Sequence, residues 1–241
     1  MSTSWSAPLP LDVGVVLAAA GRGERCGDPP KQFRSLAGAP LLLHALRPFL
    51  SHPAVALVSV VLPEEQAAAP PDWLAELVGE RLRVVAGGTT RMDSVAAGLR
   101  VLPVSCSIVL VHDGARPFPE AVVIDAVIAQ ARRGVGAIAA VPLYDTLKEA
   151  GPIESDTPPP VLRTLSRTAV WRAQTPQAFP RALLEAAYAT ARAEGFAATD
   201  DAELVERSGG TVVLVRDVSS NLKVTTPEDF RVAEALARIA R

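Results

Sequence analysis

Six short runs of β-branched and aliphatic residues recur along the chain, separated by longer stretches with helical periodicity. That alternation is what most restricts the fold. The apolar runs cover 13–17, 55–62, 82–85, 108–111, 137–141 and 211–215. Most are apolar throughout rather than alternating, which suits strands covered on both faces. Helical patterns fill the gaps at 40–50, 73–78, 90–102, 120–132, 181–194 and 200–208. A last helix is predicted to start at Thr226-Pro-Glu-Asp229, with a hydroxyl at N-cap, proline at N1 and an acid at N3, and to run to the chain's end. Strand and helix in regular succession predict a three-layer α/β domain with a mostly parallel sheet. We place it over 11–241 as a single domain, with 1–10 as a flexible lead.

The rhythm breaks from 143 to 175. Pro158-Pro159-Pro160 forbids a helix in the middle, and polar, Thr-containing pieces flank it at 144–148 and 161–167. The segment reads as two extended arms joined by a stiff turn, an inserted β-arm over 143–170. An isolated hairpin is marginal in water. The arm is therefore expected to pack on its own domain or on another subunit.

Composition removes several function classes. The 241 residues carry 24 basic and 26 acidic side chains, a net charge of −2, which argues against a nucleic-acid binder. No apolar run approaches the roughly 18 residues of a spanning helix, so no membrane association is expected. The first ten residues have neither a basic nor an apolar signal region. Two cysteines, Cys26 and Cys106, are too few for a disulfide scaffold. A cytoplasmic location is the expectation. With His44, His52 and His112 as the three histidines, and no His-Glu-x-x-His or Cys/His spacing, a zinc site is not expected. No Gly-x-Ser-x-Gly elbow is present.

Three blocks carry candidate chemistry, each at the end of an expected strand. The first is Ala18-Ala19-Ala20-Gly21-Arg22-Gly23-Glu24-Arg25, followed by Pro30-Lys31-Gln32. Small residues let the backbone approach a ligand and present its N–H groups, and Arg22, Arg25 and Lys31 add charge; together they suggest a polyphosphate site. The dinucleotide fingerprint fails, because Cys26 stands where its third glycine belongs and no acid follows at the ribose position. No Gly-Lys-Ser/Thr follows either, so it is not a P-loop. A solvated basic loop is the other reading. The second block, Gly87-Gly88-Thr89-Thr90-Arg91-Met92-Asp93-Ser94, opens a helix that either threonine could cap. The third, Val111-His112-Asp113-Gly114-Ala115-Arg116-Pro117, delivers a carboxylate at a strand end, where it would hold Mg²⁺ beside phosphates, or else accept turn N–H groups or pair with Arg116. Lys223, inside Asn221-Leu-Lys-Val-Thr225, is oddly placed in a β-branched run unless its head reaches an anion; a solvent-facing strand edge is the alternative. The reaction suggested is phosphoryl or nucleotidyl transfer driven by charge stabilisation.

Taken in order, these blocks with Asp145-Thr-Leu-Lys148, Thr175-Pro-Gln177 and Thr199-Asp-Asp201 resemble the 2-C-methyl-D-erythritol 4-phosphate cytidylyltransferase family over about 13–237. The resemblance implies a Rossmann-like nucleotidyltransferase fold and a homodimer that exchanges the β-arm. It implies CTP and methylerythritol phosphate as substrates and Mg²⁺ as cofactor. It places Ala19, Ala20, Gly21 and Gly23 around the CTP phosphates and ribose, and Gly87, Gly88 and Ser94 along the cytosine. Gly114 and Ala115 fall beside the ribose, with Arg25, Lys31 and Lys223 as the catalytic cations and Asp113 as the metal ligand. Arg116, Thr146, Arg167 and Thr199 match substrate-side positions, Thr146 and Arg167 reaching across the dimer. Two departures stand out. Ser219 and Ser220 precede Asn221 where some members have an aspartate, and the loop from Arg25 to Lys31 is one residue shorter than in some relatives. Rival readings are a ribitol 5-phosphate cytidylyltransferase and a non-catalytic nucleotide-binding protein on the same fold.

Overall fold

In the computed structural model, which describes residues 10–21, 30–152 and 157–239, the apolar runs form one seven-stranded sheet. Its order is β11-β7-β10-β6-β1-β4-β5. The strands are β1 (Val13–Ala18), β4 (Val55–Leu62), β5 (Leu82–Ala86), β6 (Ile108–Asp113), β7 (Gly136–Pro142), β10 (Trp171–Pro180) and β11 (Val212–Arg216). All neighbours pair in parallel except β10, which is antiparallel to both β6 and β7. Two short pairs stand apart: β2 (Ser35–Leu36) with β3 (Ala39–Pro40), and β8 (Leu147–Ala150) with β9 (Val161–Leu165). The N-terminal lead, residues 1–9 of it, lies outside the described residues, as do 22–29.

Strand side chains alternate between two cores. Val13, Val15 and Leu17 of β1 join one cluster with α1 (Leu41–Leu50) and α5 (Ala121–Arg132), while Val16 joins the other with α4 (Arg91–Arg100) and α6 (Arg181–Glu194). β6 divides the same way, Ile108 and Leu110 against Val109 and Val111. An apolar residue at every position is thus what two covered faces require. A third small cluster gathers Leu36, Leu41 and Val224 beneath Ala233 and Ala237 of α8 (Pro227–Ile239). Helix α8 starts as the sequence predicts: Thr226 Oγ1 accepts from the Asp229 N–H, and Asp229 Oδ2 accepts from the Thr226 N–H. α7 (Asp201–Arg207) is capped by Asp200, and α4 by Thr90 rather than Thr89.

One strand was hidden by its prolines. Residues 171–175, read as part of the excursion, begin β10, and this strand lies inside the sheet. Pro176 and Pro180 look like strand breakers. The structure tolerates them because the β10–β7 register shifts between Ala173 and Gln177, so no ladder N–H is required of Pro176, and Pro180 is the last residue. The short helix α2 (Glu64–Ala68) was also unmarked, for it buries no residue and has no apolar stripe. Near it, α3 (Asp72–Ala75) is shorter than the 73–78 expected. Within the expected arm, β8 and β9 form a two-stranded antiparallel ribbon, and β9 is mostly exposed. Among the described residues no helix is long and apolar enough to cross a membrane.

The order of connections sets the site. From β1 the chain moves outward through β4 to β5, and α4 then returns it to β6 on the opposite side of β1. Ligands of open α/β sheets bind outside the carboxyl ends of the strands where the order reverses, here between β1 and β6. α4 lies tight on this part of the sheet. A Cβ on its Gly98 would stand 2.6 Å from Val16 Cγ1 and 2.8 Å from Val61 Cγ2. On an exposed helix Gly→Ala gains about 1 kcal/mol. At Gly98 the overpacking term of about 1–3 kcal/mol dominates, so Gly98→Ala is expected to destabilise the protein in urea unfolding. A variant more stable than the parent would show that α4 sits further from the sheet.

Candidate active site

Register brings the motif blocks together. Ala18 pairs with Asp113 across β1 and β6, and Leu62 with Ala86 across β4 and β5, so the loops that follow leave one edge of the sheet. Backbone bonds carry the ladder past the strand ends: Ala19 N–H to Val61 O at 2.9 Å, Gly114 N–H to Ala18 O at 2.9 Å and Gly87 N–H to Leu62 O at 2.8 Å. Over this edge opens a cavity of about 860 Å³. Its walls include Ala19, Ala20 and Gly21 from the first block and Gly88 and Ser94 from the second. Gly114, Ala115 and Asp113 come from the third, with Lys31 and Lys223 completing the charged side.

The small residues are needed where they stand. A Cβ on Gly87 would meet Ala20 Cβ at 2.6 Å and Ser94 Oγ at 2.8 Å, and one on Gly88 would meet Asp93 Cβ at 2.3 Å. The Ser94 hydroxyl accepts from the Gly88 N–H at 3.2 Å and donates to Thr90 O at 2.9 Å, which fixes the turn into α4. Gln32 Nε2 donates to Ala19 O at 3.3 Å, and Lys31 Nζ to Val224 O at 2.9 Å.

Asp113 is the electrostatic centre. It is 8% exposed, and its Oδ2 lies 2.9 Å from Lys223 Nζ and 3.4 Å from Arg116 Nε. Burial alone would raise its pKa; Lys223, Arg91 and Arg116 together outweigh burial and hold the carboxyl at about 2. Asp113 therefore pairs with Arg116, one of the roles the sequence offered, and it also lines the cavity. The anion that Lys223 reaches is this carboxylate. Lys223 is set by two anchors, buried Val224 in the α8 cluster and fully buried Asn221, whose Nδ2 donates to Thr175 O and Asp217 Oδ2. The segment is irregular rather than a strand.

His112 is structural. Its Nε2 lies 3.0 Å from Arg116 O, and a carbonyl can only accept, so Nε2 carries the proton. Burial lowers the imidazole pKa to about 4, so the ring is neutral and Nδ1 accepts from the Thr175 hydroxyl at 3.0 Å. Thr175 Oγ1 in turn accepts from the Asp113 N–H at 3.0 Å. This chain locks the turn that presents Asp113 and Arg116.

A second cavity of about 240 Å³ adjoins the first and shares Arg91, Asp113 and Lys223 with it. Arg116 and Thr199 line it, together with Thr175. The structure thus gathers Lys31, Lys223, Asp113, Arg116 and Thr199 with the small residues of the first two blocks. It does not bring Thr146 or Arg167 to either cavity of the same chain; both are exposed near the arm, where Arg167 donates to Tyr144 O. Gly23 and Arg25 lie outside the described residues. Arg91, Thr175 and Gln32 are among the lining residues that sequence reasoning did not single out. Each sits inside a motif already quoted, and nothing local distinguishes them.

Helices on both faces of a mostly parallel sheet, with a cation-lined cavity at its switch point, are the arrangement of the α/β nucleotidyltransferase fold. The sequence profile of the 2-C-methyl-D-erythritol 4-phosphate cytidylyltransferase family matches residues 13–238, and the chain belongs to that family. It is 44% identical over 234 residues to the 2-C-methyl-D-erythritol 4-phosphate cytidylyltransferase of Pelotomaculum thermopropionicum, covering 94% of each chain. It is 45% identical over 233 residues to the bifunctional enzyme IspD/IspF of Desulforudis audaxviator, covering 93% of this chain and 56% of that protein. Among solved structures, the 2-C-methyl-D-erythritol 4-phosphate cytidylyltransferase of Thermus thermophilus superposes with a TM-score of 0.77 at 37% identity, covering 93% of this chain and 98% of that one.

The Thr175 link predicts a measurable cost. Thr175→Val keeps the shape but removes the acceptor of the Asp113 N–H and the donor to His112. A loss of about 1–3 kcal/mol is expected in chemical denaturation, as for buried polar groups left unpaired. A loss below about 0.5 kcal/mol would mean that the hydroxyl carries neither bond.

Proposed function

We propose that the chain transfers the cytidylyl group of CTP to 2-C-methyl-D-erythritol 4-phosphate, giving the CDP-alcohol and diphosphate for isoprene synthesis by the non-mevalonate route. The observation that carries this reading is the pair of adjoining cavities sharing Asp113, Lys223 and Arg91. The larger takes the nucleotide: Ala19, Ala20 and Gly21 lie against phosphates and ribose, Gly87, Gly88 and Ser94 along the base, and Gly114 and Ala115 beside the ribose. The smaller takes the acceptor, with Arg116 and Thr199 in its wall.

The chemistry follows from charge. The acceptor phosphate is already an oxyanion near neutral pH, so no general base is required. An oxygen of it attacks the α-phosphorus in line, and the bond from that phosphorus to the bridging oxygen of the diphosphate breaks. Lys31 and Lys223 stand where negative charge grows on the phosphoryl oxygens, the position at which fixed charge raises the rate. Arg25 joins them in this reading.

Mg²⁺ fits as an ion carried mainly by the triphosphate. Asp113 supplies one ionised carboxylate on the cavity wall, and among the described residues no group of three or more His, Cys, Asp and Glu could hold an ion by itself. When bound, the ion supplies further positive charge to the phosphate oxygens. The reaction is assigned to the cytoplasm, because highly charged CTP does not cross membranes unaided.

The arm completes the reading. Val161 and Leu162 of β9 are 62% and 61% exposed, and a two-stranded ribbon cannot bury them alone. A homodimer in which each arm covers the other subunit would bury these residues and bring Thr146 and Arg167 to the partner's acceptor cavity. The test is diphosphate release from CTP and Mg²⁺ with either methylerythritol phosphate or ribitol 5-phosphate as acceptor. Turnover is expected with the first; preference for the second would reassign the substrate. Lys31→Ala should raise the barrier by about 3–4 kcal/mol, as for a lost oxyanion donor, and a loss under tenfold would remove it from catalysis. Co-expressing Lys31→Ala with Arg167→Ala tests the exchanged arm. Restoration of about a quarter of the activity is expected from mixed dimers. No restoration would put Arg167 to work in its own subunit or not at all.

A further inference from the structure

Arg91, the first residue of α4, lines both cavities at their junction. Its Nη2 donates to Asp201 Oδ2 at 2.7 Å, and Asp201 is fully buried. The other Asp201 oxygen accepts from the Tyr188 hydroxyl. The three residues come from α4, α7 and α6, and Asp201 is separated from Arg91 by 110 positions. A carboxylate is kept out of water only where its partners compensate it, and here both oxygens are engaged by donors that converge from separate helices. Burial first, and the Asp201 carboxylate second, drive the Tyr188 phenol far above its usual range, so it remains a donor.

The arrangement does more than tie helices together. Arg91 lies close enough to Asp113 to help lower its pKa. Lys223 and Arg116 already pair with Asp113. Without a tether Arg91 would be drawn to the same carboxylate. Asp201 engages one edge of the guanidinium from behind, while the side chain, 31% exposed, still faces the cavities. A guanidinium has five donors in a planar fork suited to phosphate oxygens.

We propose that Arg91 binds the phosphoryl oxygens at the junction of the nucleotide and acceptor cavities, and that Asp201 and Tyr188 are positioning residues that aim it there. The identity of those phosphates rests on the cytidylyltransfer reading above. A purely structural tether would affect folding alone, which gives the test its contrast.

The experiment measures CTP and cytidine affinity by calorimetry on the full chain, alongside kcat, KM and the unfolding midpoint, for Arg91→Met, Arg91→Lys and Tyr188→Phe. Tyr188→Phe keeps the ring and the Arg91–Asp201 pair, so it reports even if Arg91→Met folds poorly. Arg91→Met is expected to weaken CTP about tenfold or more while leaving cytidine unchanged, and to lower kcat. Tyr188→Phe should lower kcat about threefold with cytidine affinity intact, and Arg91→Lys should not restore the parent value, since it lacks the fork. Three results would overturn the proposal. CTP affinity and kcat within twofold of the parent, with only the unfolding midpoint lowered, would leave a tether. An equal loss for CTP and cytidine would move Arg91 to the base. Full activity in Arg91→Lys would deny the fork any role. If the parent failed to turn over methylerythritol phosphate yet Arg91→Met still lost CTP but not cytidine, the acceptor assignment would fail and the anion role of Arg91 would stand.

Discussion

Placing an ionised carboxylate where 8% of its surface meets water is unfavourable by several kcal/mol unless cations compensate it. Asp113 is placed there as the last residue of β6, and Lys223, Arg116 and Arg91 surround it. The mutual dependence runs both ways. Three cations gathered without Asp113 would repel one another across a small volume, and the carboxylate without them would protonate rather than stay charged. Together they form a wall of net positive charge that is already ordered before any phosphate arrives. Preorganised charge of this kind needs no reorganisation as the reaction proceeds, which is where its effect on rate originates.

The sheet and its connections exist, from the point of view of the site, to hold that wall steady. Pairing of Ala18 with Asp113 fixes how the small-residue loop and the acidic turn face each other. Close packing of α4 at Gly98 fixes the height of Ser94 and Arg91 above the strand ends. The His112–Thr175 link ties the acidic turn to β10, and Asn221 ties the lysine segment to the same strand through Thr175 O. The antiparallel strand is therefore the element on which the two halves of the charged wall meet.

Much of this was readable from the chain alone. Strands covered on both faces announce themselves as apolar runs, and β4 spans the 55–62 that its run suggested. The motif blocks pointed to strand ends because small residues and charges follow each run directly. β10 escaped because its prolines are harmless only in the shifted register found there. Thr175 and Arg91 escaped for a different reason: their roles are set by partners 62 and 110 positions away, and an arginine in a first helical turn looks like any surface arginine. Lys223 was suspected from its odd surroundings, but the carboxylate it meets could not be named without tertiary structure. Thr146 and Arg167 were legible as arm residues, and neither lines the two cavities of its own chain.

The most direct measurement is a crystal structure of the protein with CTP and Mg²⁺. The triphosphate is expected over the carboxyl ends of β1 and β6, with the α-phosphate beside Lys223 and Asp113 and the base along Gly88 and Ser94. A nucleotide bound elsewhere, or with its phosphates turned away from Asp113 and Lys223, would contradict that placement.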